Sequence, residues 1–251
     1  MKKEMYSSEV TLLRDTFRRL LRRHAKTNIV KLLDKTHPSD LALIFRYFND
    51  AEQDSIFSNM LPSEETVKFL YELDESIATR LIERETAERL AEIMQQASSN
   101  EQAFLMGLVS DEFASSVIDL LQTEEQEELE EMMAYPEDSA GILMYTDVFT
   151  LHEETKAREA IYALQDQEDA EMVFYLYTLD DDGRLTGVIS LRDLVTTPSE
   201  TMLKDIMSKN IQAVRAETDQ EEVARIVSQY NFLAVPVVDA GDKLLGIVTV
   251  D

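Results

Sequence analysis

Over residues 1–134 apolar side chains return every three or four positions. Leu41, Ile44, Phe45 and Phe48 form one such stripe, and Leu81, Leu90, Ile93 and Met94 contribute to others. That period is helical. Start signals punctuate it: Pro38 in the first turn after His37, Pro62-Ser63-Glu-Glu65, and Ser110-Asp111-Glu112. Segments of roughly 10–14 residues with short breaks predict a stack of short helices, a small α-solenoid or irregular bundle, whose methionines and aromatics fill its core. The regime ends at Tyr135-Pro136-Glu-Asp-Ser-Ala-Gly141-Ile-Leu-Met144, where proline and glycine five residues apart close a helix and open an extended segment. A helical domain over 1–134 is therefore expected to end here.

Downstream the pattern changes to short apolar runs bounded by polar turns, and it occurs twice. Asp180-Asp-Asp-Gly-Arg-Leu-Thr-Gly187-Val-Ile-Ser190-Leu-Arg-Asp193 returns 59 residues later as Asp239-Ala-Gly-Asp-Lys-Leu-Leu-Gly246-Ile-Val-Thr249-Val-Asp251. Each copy reads as a strand, a turn (Asp-Gly in the first, Ala-Gly-Asp in the second) and an apolar strand ending in a hydroxyl residue. The repeat extends upstream, where residues 148–155 align with 211–218 and a helical stretch follows each, over 157–164 and 221–230. The first copy is four residues longer, an insertion expected within residues 165–171. This gives a hinge and first unit over 135–200 and a second over 201–251.

A short strand, a helix and a hairpin ending in Gly-h-h-[Ser/Thr]-x-x-Asp resembles the cystathionine β-synthase (CBS) domain, which occurs in pairs. Gly187, Ser190 and Asp193 fit completely. Gly246 and Thr249 fit in the second copy, whose aspartate would be residue 252, so the chain reads as a fragment with an incomplete second unit. The expected fold is multi-domain, α then α+β: a stack of short helices followed by a tandem CBS pair.

Charge sharpens the picture. Residues 1–50 are net +5 and residues 51–251 net −31, within an overall −26; from residue 90 to 155 there are 16 carboxylates and no lysine or arginine. Such a surface repels nucleic acid and favours divalent cations, although any single run, such as Glu124-Glu-Gln-Glu-Glu-Leu-Glu-Glu131, is explained as a solvated face. The basic start, with Arg18, Arg19, Arg22, Arg23 and Lys26 among Phe17, Leu20 and Leu21, suits either a helix with ordinary surface arginines or one near anionic headgroups. Absence of cysteine excludes disulfides and thiolate metal sites. No apolar run reaches 18 residues, and no signal peptide is evident. Three scattered histidines and six glycines, with no nucleophile elbow or phosphate-cradling loop, give catalysis no support; the expectation is a protein that is not an enzyme.

With His37-Pro-Ser-Asp-Leu-Ala42, the Tyr-Pro-Glu-x-x-Ala-Gly-x-Leu-Met hinge, Thr218-Asp-Gln-Glu-Glu-Val-Ala224 and the CBS pair, nearly the whole chain resembles the MgtE family of magnesium transporters. The resemblance implies a homodimeric, multi-pass Mg²⁺ channel. This chain would be its sensor at the cytoplasmic face of the membrane, dimerising through the CBS units and attached to a pore domain that it does not contain. It also implies a Mg²⁺ set of Gly141 (carbonyl), Asp219, Glu221, Ser228 (carbonyl), Asn231 and Asp251. Asn231 departs from the carboxylate usual there, as do Asn100 and Phe104 from the acidic residues expected in the helical domain. An adenine nucleotide such as ATP is the second implied ligand, with Ser190, Arg192 and Asp193 toward phosphate and ribose, Phe232 and Pro236 near the base, and Thr249 from the other unit. Beside these stand plainer readings: Ser190 as a helix cap, Asp180-Asp-Asp-Gly183 as a hairpin turn rather than a calcium loop, and the chain as a soluble CBS-pair adenylate sensor with a protein partner.

Overall fold

The computed structural model describes residues 2–166 and 174–250, which fall into two compact units, 1–129 and 130–251. Most of the expected insertion and Asp251 lie outside the described residues.

The first unit is helical: α1 (Lys2–Arg22), α2 (Lys26–Leu33), α3 (Pro38–Phe45), α4 (Asp50–Phe57), α5 (Glu64–Tyr71), α6 (Glu75–Ile82), α7 (Ala87–Met94), α8 (Ser99–Gly107) and α9 (Asp111–Ile118), with α10 (Thr123–Met133) running on into the second unit. Helices α3 to α9 have eight or nine residues, shorter than the sequence predicts, because caps and turns take about four residues between them. The caps set a period: Asp74, Thr86, Ser98 and Ser110 stand twelve residues apart, each at an N-cap. Two-turn helices are too short to persist alone. Packing therefore holds them, through Ile44, Phe45, Phe69, Leu70, Ile82 and Met94, all essentially inaccessible to solvent. Phe45 meets Phe69 edge-on at 5.0 Å between centroids.

Short helices also leave many orphan carbonyls. A glutamine on the following helix takes up one of them in three places: Gln53 Nε2 donates to the Phe45 carbonyl, Gln102 to that of Met94 and Gln126 to that of Ile118, at 2.8–2.9 Å. In each case the donor lies eight residues after the acceptor, so the clasp repeats with the helical architecture.

The second unit opens with a single helical turn, α11 (Ala140–Leu143), in place of the extended segment expected there. It continues as β1 (Thr150–His152), α12 (Ala157–Gln165), β2 (Tyr175–Leu179), β3 (Leu185–Ser190), α13 (Leu191–Thr196), β4 (Val214–Arg215), α14 (Gln220–Tyr230), β5 (Ala234–Val238) and β6 (Leu244–Thr249). Two three-stranded sheets result, β1-β2-β3 and β4-β5-β6, each with a parallel pair and then an antiparallel hairpin. Alternation along the strands divides the first sheet's residues. Leu176 and Ile189 pack with Ala157, Ala160 and Leu194 under the unit's own helices. Tyr177, Val188 and Leu185 face Ala234, Ile247 and Leu244 of the second sheet.

The hairpin turns are equivalent in form despite unlike sequences. Asp180 Oδ1 accepts from the amides of Asp182 and Arg184, and Asp239 Oδ1 from those of Gly241 and Lys243. The left-handed position is the fourth residue of each: Gly183 (φ 78°) and Asp242 (φ 64°). The second turn's own glycine, Gly241, is not the residue that adopts it. The two turns also bond to each other, Leu185 N to Asp242 O at 2.9 Å and Leu244 N to Gly183 O at 3.4 Å.

The segment leading into each CBS unit crosses to the other unit's last strand. Tyr145 exchanges both backbone hydrogen bonds with Ile247, and Ser208 exchanges both with Val188. Glycine of the repeated motif permits the approach. A Cβ at Gly246 would lie 2.5 Å from the Tyr145 carbonyl oxygen, and one at Gly187 would lie 2.4 Å from Met207 Sδ.

Candidate functional site

Asp219 is the N-cap of α14, its Oδ1 accepting from the Glu221 amide at 2.8 Å. A carboxylate suits that end, where N–H groups converge. Asp219 and Glu221 are both exposed. The hinge lies alongside: Ala140 N donates to Thr218 O, Gly141 N to Ala216 O, Gln220 N to Asp138 O, and Gln220 Nε2 to Asp138 Oδ1 at 2.6 Å. Gly141 is buried under the Tyr135 ring, where a Cβ would meet ring carbon at 2.4 Å. Burial, then Glu131, Glu217 and Asp239, push the Tyr135 hydroxyl pKa up. Ser139, which bridges to Asp219, has a buried Oγ with no hydrogen-bond partner among the described residues.

Ser228 is on the outer side of α14 and Asn231 is its left-handed C-cap (φ 53°). Twelve residues of helix separate Asn231 from Asp219, about 18 Å at 1.5 Å per residue. Mg²⁺–oxygen distances are about 2 Å, so the two ends cannot hold one ion. The structure therefore gathers Gly141, Asp219 and Glu221 in one place and leaves Ser228 and Asn231 in another. Among the described residues no three Asp, Glu or His side chains converge as a metal cage. The donor set at the Asp219 end, the exposed carboxylates of Asp219 and Glu221, fits a hard cation that keeps most of its water.

Of the residues expected to face a nucleotide, Ser190 caps α13: its Oγ accepts from the Asp193 amide at 3.1 Å and donates to Asp193 Oδ2 at 2.7 Å. Arg192 is exposed, and no ion-pair partner for it occurs among the described residues. Thr249 pairs with Ala234 as Ser190 pairs with Tyr175, so it is the repeat's equivalent of Ser190. Phe232 stacks on Tyr230, centroids 5.4 Å apart and planes 14° from parallel. Pro236 is buried in the central strand β5, which tolerates it because β4 pairs only with Val237 and Val238 and because Ile247, opposite, directs its backbone groups to Tyr145. Sequence reasoning passed over Tyr175, which lies opposite Ser190 and packs against the cluster containing Ala234 and Ile247. Counting the strand register back from the Asp180 turn would have found it.

Two small mixed sheets with crossed lead segments, preceded by paired short helices, define a helical domain joined to a tandem CBS pair. Residues 36–138 match the MgtE intracellular N domain, and residues 140–200 and 203–251 match the CBS domain. The chain is 33% identical over 234 residues to the magnesium transporter MgtE of Thermus thermophilus, covering 88% of this chain and 50% of that one. It is 42% identical over 130 residues to that of Enterococcus faecalis, covering 51% and 29% respectively. The crystal structure of the cytosolic domain of the Mg²⁺ channel MgtE in complex with ATP superposes with a TM-score of 0.88 at 30% identity, covering 95% of this chain and 97% of that one. The chain belongs to the MgtE family, as its N domain and CBS pair, and spans half or less of the length of these two transporters.

Proposed function

We propose that this chain is the Mg²⁺-sensing regulatory part of a magnesium channel, acting at the cytoplasmic face of the membrane as a dimer joined through its CBS units to a pore. Binding of Mg²⁺ between acidic domains favours one compact arrangement, and that arrangement closes the pore. The observation that carries the reading is the exposed Asp219–Glu221 pair at the start of α14, whose neighbours Thr218 and Gln220 are hydrogen-bonded to the hinge around Gly141, in a chain of net charge −26. Repulsion between anionic faces is removed when a divalent ion sits between them.

Magnitudes decide how many ions are needed. A site at ten times its dissociation constant contributes about 1.4 kcal/mol, whereas moving a switch from 1:99 to 99:1 takes about 5.5 kcal/mol. About four weak sites per dimer supply this, and they give a steep response. ATP or another adenine nucleotide is the second ligand, taken up by Arg192 and Asp193 with Tyr175, Phe232 and Pro236 about the base; the ATP complex of the related cytosolic domain supports this.

Solution scattering and limited proteolysis during a titration from zero to about 20 mM Mg²⁺, against monovalent salt of matched ionic strength, test the proposal. Compaction with Mg²⁺ beyond that seen with monovalent salt is expected. Equal compaction in both would rule out specific bridging.

A further inference from the structure

One strongly charged surface is left unused by the Mg²⁺ and nucleotide sites. Phe17 turns one side of α1 inward and is fully buried. On the opposite side Leu12, Arg19, Arg22 and Arg23 face solvent. The helix stops at His24 in the left-handed conformation (φ 50°), and the chain reverses into α2 with Lys26 exposed at its start. Among the described residues none of Arg19, Arg22, Arg23 and Lys26 has an ion-pair partner. Their neighbours on the same helix are committed internally: Arg14 pairs with Asp15 at 2.8 Å, and Arg18 donates to the Tyr47 carbonyl and lies 3.7 Å from Glu52. Leu12, on the same side of α1 as Arg19, Arg22 and Arg23, is left in water at 69% exposure. All of α1 and α2 precede the matched N domain, which begins at residue 36.

We infer that the outward face of α1 and the α1–α2 turn rests on anionic membrane lipid, with Arg19, Arg22, Arg23 and Lys26 on headgroup phosphates and Leu12 at the interface. Free cations around an exposed leucine match an interfacial helix, in which charge draws the surface in and an apolar group enters the headgroup boundary. Nucleic acid or an acidic protein would use the cations but not Leu12. The acidic remainder of the chain does not forbid the contact, since charges more than about 8 Å from the lipid plane are largely screened at physiological salt. The inference rests on the proposed attachment to a membrane-embedded pore, which holds the helix at high effective lipid concentration.

Vesicle flotation of the whole 251-residue chain in EDTA tests it. Vesicles of phosphatidylcholine with about 30 mol% phosphatidylglycerol are expected to bind roughly tenfold more protein than phosphatidylcholine alone, with the difference vanishing at high salt. Arg19→Gln/Arg22→Gln/Arg23→Gln/Lys26→Gln together should remove that difference, lowering binding to the anionic vesicles roughly tenfold. Leu12→Ala should lower it a few-fold. All five side chains are exposed, and an unchanged melting temperature verifies that each variant is folded. Equal flotation on both vesicles, an unaffected quadruple variant, or displacement of the chain from anionic vesicles by polyuridylate or polyglutamate at matched charge would each overturn the lipid assignment. A chain that compacts with Mg²⁺ but ignores vesicles fails only this inference; one that floats yet does not respond to Mg²⁺ fails only the sensor reading.

Discussion

Tyr145 and Ile247 exchange both of their backbone hydrogen bonds, at 2.8 and 2.9 Å, although they stand 102 positions apart in the sequence. The segment leading into the first CBS unit thus completes the edge of the second unit's sheet, and Ser208 with Val188 returns the arrangement. Neither unit has its full set of strand partners alone. The close approach explains the motif glycines and makes them unequal.

Gly246→Ala should be the more damaging of the two glycine substitutions. Its Cβ would meet a backbone oxygen at 2.5 Å, which cannot move without breaking the Tyr145 pairing, whereas at Gly187 the nearest obstacle is the Met207 side chain. Losses of about 3 kcal/mol at Gly246 and about 1–2 kcal/mol at Gly187 are expected in urea unfolding. A reversed order would contradict the crossing.

Tyr177 is a buried tyrosine whose hydroxyl has no hydrogen-bond partner among the described residues, and burial pushes its pKa up. An unmet buried hydroxyl is a cost to the fold. Tyr177→Phe should therefore leave stability unchanged or raise it by up to about 1 kcal/mol, read from the denaturation midpoint. A clear loss would mean that the hydroxyl is bonded in solution.

The two turn aspartates give stability a pH dependence. The amide of Arg184 first, and that of Asp182 with it, hold the Asp180 carboxyl below its ordinary pKa; the amides of Lys243 and Gly241 do the same for Asp239. A carboxyl whose folded pKa is depressed stabilises fully above its unfolded value, near about 4. That contribution fades as pH falls from there through the lower folded value. Asp239→Asn keeps an oxygen acceptor for the turn and should flatten the dependence of the urea midpoint on pH between about 6 and 3. An unchanged slope would show that the Asp239 turn contributes nothing to it.

At Asp219, capping and charge separate by substitution. Asparagine caps a helix as well as aspartate does, so Asp219→Asn should match the wild type in EDTA while losing much of the Mg²⁺-induced rise in melting temperature. Asp219→Ala should lose about 1 kcal/mol in EDTA as well. Full retention of the Mg²⁺ effect in the asparagine variant would remove Asp219 from the proposed site.

For the nucleotide, Arg192→Ala should weaken ATP binding about tenfold or more by calorimetry, since the one unpaired cation at the Ser190 turn would be gone. Tyr175→Ala should weaken ATP and adenosine alike, because the proposed stacking concerns the base. An Arg192 variant that binds ATP normally would place the phosphates elsewhere.

Much of this fold is written locally. The caps at Ser63, Thr86 and Ser110, Pro38 at a helix start and the duplicated hairpin all follow from groups a few residues apart, and the helical region and CBS pair they predict are present. Helix length was less legible, since an apolar stripe continues across a four-residue break whose caps must be recognised to end it. The αL position in the second turn was not legible either: Gly241 is the obvious candidate, yet the Asp239 side chain fixes the loop so that Asp242 takes it.

What the sequence determined alone is therefore the set of helices, the doubled strand–turn–strand unit and the anionic surface, because each depends on neighbours in the chain. The tertiary structure alone decided that the lead segments cross between units, that Tyr175 stands at the Ser190 turn, and that Thr218 and Gln220, on either side of Asp219, are hydrogen-bonded to the hinge beside Gly141. Pairings across tens of residues are set by backbone groups that every residue carries, so they leave no trace in local periodicity. A motif glycine shows that something approaches closely, and only the folded chain shows what does.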